Sequence, residues 1–335
     1  MLMVDADKIA SALGYPRLVE ALRIGHQRGV DAVERLLMSQ ARAVAPTNHL
    51  LIWPAWQHGD LLGAKLASVF PGNELPDPSI WTVYVLFDGR NGRPLACING
   101  AEFTLRKTAA DSALGASFLA RPDAASMLMV GAGKQAPHQI RPQCAVRPSI
   151  GSVKVWNRSP DKARRLAESL DLPVAVSAVA DLEGAARRAD VICCATSAAA
   201  PLLRGGWIAP GTHIDLVGGF TNDMREADDE TIRRASVFVD SRWFTVGECG
   251  DISGPIAAGI MTKDDIRADL FDLCTGRHPG RQSRDEITVF KNAGGAHLDL
   301  MVARVVYDLA RSELGRLHAV SRRRTGEWRG ACLRR

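Results

Sequence analysis

Ser126–Ile140 reads SMLMVGAGKQAPHQI, and the fold turns on how this stretch is taken. The largely apolar run Ser126–Val130 enters Gly131-Ala132-Gly133-Lys134-Gln135-Ala136, and helix-compatible sequence follows. Strand, glycine turn and helix in that order are what a dinucleotide site requires. The first glycine permits a tight turn, the second lets the backbone approach a pyrophosphate, and the helix start offers unpaired N–H groups and the positive end of a dipole. Ala136 stands where a third glycine often does. GxGxxA alone also describes an ordinary tight turn, so the flanking sequence has to decide.

Downstream, strands and helices alternate. Ser152–Trp156 is a strand that leads into Asn157-Arg158-Ser159, and Pro160 opens the helix DKARRLAESL. A strand at 174–176, a helix at 181–188 and strands at 191–195, 213–217 and 237–240 follow. Strands interleaved with helices predict a Rossmann-type, doubly wound parallel sheet, and that context makes the glycine turn a nucleotide site. NAD sites place Asp or Glu at the end of the second strand to bind the ribose 2′-hydroxyl. Here Asn157, Arg158 and Ser159 occupy it, and an arginine fits a 2′-phosphate. NADP(H) is therefore favoured, with NAD(H) left open by the nearby Asp161.

Upstream the pattern is different. Asp5 caps a short helix through Leu13, and Pro16 opens a helix with Leu18, Val19, Leu22 and Ile24 on its apolar side. Extended runs at 41–45, 50–56, 61–69, 81–88 and 95–99, separated by turn chemistry such as His58-Gly59-Asp60 and Gly89-Arg90-Asn91-Gly92, predict an antiparallel meander. Lys65 sits in LLGAKLASVF, both of whose alternating faces are largely apolar. It is either a buried lysine that needs a carboxylate or an edge lysine that discourages aggregation. Arg42 in QARAVAP is a weaker case of the same kind. Glu102–Arg121 reads as a helix ended by Pro122. Arg106 and Lys107 at its start oppose the helix dipole, so they are either surface charges or partners of something anionic.

Composition narrows the classes. At 335 residues the chain can bury two cores, and no apolar run is long enough to cross a membrane. The start, MLMVDADKIASAL, has early acids and no apolar signal core, so a cytoplasmic protein is expected. The seven cysteines are scattered without a CxxC pair, so neither a disulfide framework nor a zinc site is expected. Cys193 and Cys194 read as buried small side chains, and no metal enters the reading. Residues 319–335 hold six arginines against one acid, which accounts for the whole net charge of +5. Nucleic-acid binding by the folded part thus loses its support, and the basic tail reads as a disordered, solvated end.

GAGKQA, VWNRSPDKA, ATSAAAP, GTHIDLVGGF, DMREADDETI, FVDSR and TVFKNAGGAHLDLMVARVVYDLA, in this order, resemble the ornithine cyclodeaminase/mu-crystallin family from Asp5 to about His318. The resemblance implies a homodimer with a discontinuous α+β dimerisation and substrate domain (1–115 with 296–318), a central Rossmann domain (116–295) and a cofactor held at their cleft. It places Arg42 and Lys65 on the substrate, with Lys65 the catalytic candidate. Arg106 and Lys107 fall at the family's RTAA motif, where lysine replaces the arginine and cannot make its bidentate contact. On the cofactor side it implies Gly131, Gly133, Lys134, Gln135, Ala136, Asn157, Arg158, Ser159, Thr196, Ser197, Leu216, Val217 and Gly218. Asn292 replaces the family's usual serine near the nicotinamide.

True cyclodeaminases carry an acid directly after the Val-Gly-Gly strand end, and here that residue is Phe220, which cannot exchange a proton. The resemblance is accordingly to the members that reduce ketimines such as pyrroline-2-carboxylate with NADPH. Three alternatives stay open: ornithine cyclodeaminase with bound NAD, reductive amination as in the family's alanine dehydrogenases, and a non-catalytic, NADPH-dependent binding protein of small ligands. The expected partners are a small imino or amino acid and a second copy of the chain.

Overall fold

The computed structural model describes residues 1–313 apart from 32, 42–45, 75 and 220. Arg42, Phe220 and the basic tail therefore lie outside the described residues. The described residues form two compact units, one made of Met1–Gly14, Val33–Phe103 and residues 299–313, the other of residues 15–31 and Thr104–Leu298.

In the first unit β1 (Leu2–Val4), β2 (Leu36–Gln40), β3 (Asn48–Gln57), β4 (Leu61–Val69), β5 (Ile80–Asp88) and β6 (Pro94–Asn99) make one sheet in the order β1-β6-β5-β4-β3-β2. Strands β2 to β6 run antiparallel in sequence, as hairpin connections require, and β1 adds to β6 in parallel. The expected strand at 41–45 lies almost wholly outside the described residues, and β2, just before it, was not expected. Leu36, Leu37 and Met38 are all exposed, so β2 has no buried face and no alternation by which the sequence could have shown it. Pro54 is tolerated in β3 because β2 pairs only with Asn48–Ile52, leaving Pro54 with β4 as its one neighbour. Helix α1 (Ala6–Ala12) begins at Asp5, whose carboxylate accepts from the Lys8 N–H at 2.9 Å, as expected of a cap.

The second unit holds α2 (Tyr15–Arg28), most of α3 (Gly100–Leu119), and a sheet of eight parallel strands: β7 (Ser126–Val130), β8 (Ser152–Trp156), β9 (Ala175–Ala178), β10 (Val191–Cys194), β11 (His213–Leu216), β12 (Ser236–Val239), β13 (Ile266–Asp269) and β14 (Thr288–Lys291). Their order is β13-β12-β14-β11-β10-β7-β8-β9. This is the doubly wound arrangement, and it reverses direction at β7, between β8 and β10. Both faces of the sheet are covered: Leu128, Val130, Ile192 and Cys194 enter one core, and Met127, Met129, Val191 and Cys193 the other. Two-sided burial is why these strands read as unbroken apolar runs, each such side chain contributing about 1.5–3 kcal/mol. Strands β13 and β14 escaped the sequence reading, since IRAD and TVFK carry charges that look solvated. α4 (Ala136–Val146) and α5 (Pro160–Ser169) follow β7 and β8 as expected.

No helix among the described residues is long and apolar enough to cross a membrane, and no group of three or more His, Cys, Asp or Glu stands close enough to hold a metal.

Candidate functional site

In open α/β sheets ligands bind beyond the carboxyl ends of the strands, at the point where strand order reverses. The Gly131 turn ends β7 at that point. Gly131 has φ +114°, and a Cβ there would lie 2.6 Å from the Ala195 carbonyl oxygen, so only glycine fits. A Cβ on Gly133 would meet no protein atom within 4 Å, which leaves that side of the turn open to a ligand. Helix α4 begins after Gln135, which gives it no side-chain cap; Gln135 Nε2 donates to the Leu105 carbonyl at 3.1 Å. An uncapped helix start beside an open glycine turn fits a pyrophosphate. Gly131→Ala is expected to cost about 1–3 kcal/mol through the forced backbone alone and to weaken nucleotide binding at least about tenfold. Urea unfolding together with a nucleotide titration checks both.

At the end of β8, Asn157 Nδ2 donates to the Ser159 carbonyl at 3.1 Å, and Arg158 is exposed. Asp161, the acid that kept NAD open, pairs with Arg164 at 3.1 Å, one turn along α5.

At the ends of β10 and β11, Thr196 donates through its N–H and hydroxyl to Glu226 Oε1 (2.6 and 2.8 Å), and the Gly218 N–H donates to Glu226 Oε2 (2.6 Å). Burial pushes the Glu226 carboxyl up to about 7 against the pull of nearby Lys291. Leu216 is buried, Val217 half-buried and Ser197 exposed. Below this edge Asp215, in β11, accepts from Ser112 Oγ (3.1 Å) and from the Cys193 thiol (3.2 Å), and burial raises it to about 6.

Past β14, Asn292 Nδ2 donates to the Thr108 carbonyl (2.9 Å) and to Ser112 Oγ (3.0 Å), while its buried Oδ1 has no hydrogen-bond partner. A buried acceptor without a donor fits a carboxamide such as that of nicotinamide. Lys107 is buried and donates to the Gly294 and Gly295 carbonyls at 2.9 and 3.3 Å. Asp240 Oδ2 accepts the Ala293 and Gly294 N–H groups at 2.8 Å each. Arg106 lies over the Tyr15 ring, 5.5 Å from its centroid. The Tyr15 hydroxyl meets His138 Nδ1 at 2.7 Å, and His213 is buried against Thr288 Oγ1 at 2.9 Å.

Within the first unit, Lys65 lies on the more buried face of β4, which is a central strand. Its ammonium is 3.0 Å from Asp299 Oδ2 and 4.7 Å from the centroid of Trp53. Of the two readings of Lys65, the structure selects the buried lysine with a carboxylate. Tyr84, opposite Lys65 on β5, is fully buried, and burial followed by the Asp299 charge raises its phenol well above the ordinary value.

The model of the ornithine cyclodeaminase/mu-crystallin family matches residues 16–313. The chain belongs to that family. A Delta(1)-pyrroline-2-carboxylate reductase of Paracoccus denitrificans is 45% identical over 293 residues, 87% of this chain and 91% of that one. The ketimine reductase mu-crystallin of Rattus norvegicus is 34% identical over 307 residues, 89% and 92% of the two chains. Among solved structures, Thermococcus litoralis Delta(1)-pyrroline-2-carboxylate reductase in complex with NADH and L-proline superposes with a TM-score of 0.86 at 29% identity, covering 93% of this chain and 98% of that one.

Lys107, one of the departures from the family pattern, has its ammonium engaged with loop carbonyls. Asp299, Glu226, Asp251 and Lys291 were not singled out from sequence as site residues. Asp299 had one signal, namely that a buried Lys65 demands a carboxylate. Glu226 lay unmarked in DMREADDETI, one of five acids in that segment.

Proposed function

We propose that this chain, an NAD(P)-dependent oxidoreductase acting on C–N bonds, reduces cyclic or acyclic 2-imino acids, ketimines such as pyrroline-2-carboxylate, to L-amino acids with NADPH. The observation that carries the reading is the 45% identity, over nearly the whole of both chains, with a Delta(1)-pyrroline-2-carboxylate reductase. The site supports it from the residues upward. When bound, the cofactor supplies a hydride to the C=N carbon. The Gly131–Ala136 segment cradles the pyrophosphate, Asn157, Arg158 and Ser159 take the adenine ribose with its 2′-phosphate, and Thr196, Ser197, Leu216, Val217 and Gly218 line the other half. Asn292 Oδ1 receives the carboxamide N–H. Arg42, Lys65, Arg106 and Lys107 are proposed to serve the substrate carboxylate, mainly by positioning it, and Lys65 to contact that carboxylate or to assist proton delivery to nitrogen. An imine that arrives protonated needs little acid catalysis, so Phe220 in place of the lyase acid is no obstacle to reduction.

We further propose a cytoplasmic homodimer. Leu36, Leu37 and Met38 on β2, together with Ile80 and Trp81 on β5, are exposed apolar side chains of the kind that a second copy covers.

One panel tests the reading. NADPH oxidation is followed by absorbance with pyrroline-2-carboxylate, piperideine-2-carboxylate, and pyruvate plus ammonia, and ammonia release is measured with ornithine. Oxidation with the cyclic imines is expected. Ammonia from ornithine without net cofactor change would replace the reductase by a cyclodeaminase, a preference for pyruvate plus ammonia by a reductive aminase, and NADPH binding without any turnover by a binding protein.

A further inference from the structure

The ends of three adjacent strands, β10, β11 and β14, are joined by a buried chain of charged groups that none of the roles above uses. Glu226 lies on the segment after β11 and has no solvent exposure. Its two oxygens accept three hydrogen bonds, two from Thr196 just beyond β10 and one from the Gly218 N–H just beyond β11. The two strand ends approach so closely that a Cβ on Gly218 would run into the Thr196 carbonyl.

Glu226 is itself held. Asp251, at the start of the helix Gly250–Ala257, accepts the Glu226 N–H at 2.7 Å and the Ala227 N–H at 3.3 Å through Oδ1. Its Oδ2 pairs with Lys291 Nζ at 3.1 Å, and Lys291 is the last residue of β14. All three charged side chains are fully buried.

Burying two carboxylates and an ammonium is a poor way to gain stability, because well-packed apolar side chains of similar volume do at least as well. What the arrangement supplies is fixed geometry: three strand ends pinned to one another at the edge where a ligand binds. A doubly wound sheet has two mononucleotide halves. β7 and β8 serve the adenosine half through the Gly131 turn and Arg158, so β10, β11 and β14 serve the nicotinamide half.

We infer that Glu226 is a positioning residue for the nicotinamide half of the cofactor, holding the Thr196 and Gly218 backbones in place, with Asp251 and Lys291 fixing Glu226 in turn. The inference rests on the nicotinamide-dependent reading of the site. It assigns Glu226 no contact with substrate or cofactor.

Glu226→Gln tests it with no turnover measurement. The amide keeps the size of the side chain but turns an N–H donor toward either Thr196 or Gly218, where only an acceptor fits. Affinities for NADPH and for 2′,5′-ADP, which contains the adenosine half only, are measured by fluorescence titration on the full chain, with a thermal melt of each protein. NADPH binding is expected to weaken about tenfold to a hundredfold, the loss of a hydrogen bond to a charged group, while 2′,5′-ADP affinity stays within about threefold. Equal losses for both probes, or a lower melting temperature with NADPH affinity unchanged, would overturn the inference and leave Glu226 a structural residue. If Glu226→Gln does not fold, Glu226→Asp keeps the charge but is too short to reach both strand ends, and the same inequality between probes is required of it. A wild-type protein that binds neither NADPH nor NADH would instead bring down the reading of the site itself.

Discussion

Lys65→Ala is expected to lower turnover of the imino acid by about 10³-fold or more, within the range for loss of a group that positions substrate or moves a proton, while NADPH binds with unchanged affinity. The two readouts separate because Lys65 belongs to the first unit and the glycine turn to the second. The single substitution has a complication of its own. It removes the ammonium that stands 3.0 Å from the buried Asp299 carboxylate, and breaking a buried pair in this way costs about 3–5 kcal/mol. That is a large part of a typical folding stability of about 5–15 kcal/mol. The double variant Lys65→Met with Asp299→Asn removes both charges, so it should melt nearer the wild type and still be inactive. Turnover by the double variant at the wild-type rate would take Lys65 out of the site.

The Lys65 pair shows what sequence can and cannot carry. That a lysine in LLGAKLASVF is out of place is local information, since alternation tells which neighbours share its face. Its partner lies at the far end of the chain, and only the three-dimensional fold makes Asp299 that partner. The same division runs through the Rossmann sheet. β7, β8, β10 and β11 were legible because burial on both faces leaves an apolar run. β14 was not, because TVFK ends in a lysine whose burial depends on Asp251, which no local pattern links to it. Glu226 was hidden for the same reason, as its three hydrogen-bond donors come from the ends of two other strands. β2 was missed for a different one: an exposed edge strand has no buried side, and with no buried side there is no period to read. The cofactor turn was the reverse case, fully local, and Gly131 with its positive φ stands where the motif put it.

Arg158→Asp is expected to weaken NADPH by about a hundredfold or more, while NADH affinity changes by less than about threefold or improves. The asymmetry follows from the charges at the end of β8. Arg158 is exposed there, and the nearest sequence acid, Asp161, is drawn toward Arg164 at 3.1 Å on its own helix, so no carboxylate of this segment is assigned to a ribose 2′-hydroxyl. A guanidinium facing a doubly charged phosphate makes charge-assisted, bidentate hydrogen bonds. An aspartate in its place loses those bonds, repels the phosphate, and supplies the acceptor that the 2′-hydroxyl of NADH needs. Arg158→Gln divides the effect: it removes the charge without adding repulsion, and NADPH should then weaken by about tenfold, the value of one hydrogen bond to a charged group. Titrating both nucleotides into the three proteins at two ionic strengths completes the test. The NADPH advantage of the wild type should shrink as salt screens an exposed pair, and that of Arg158→Gln should barely move. Equal losses of NADPH and NADH on replacing Arg158 would refute the 2′-phosphate assignment and leave the cofactor preference to be set elsewhere in the site.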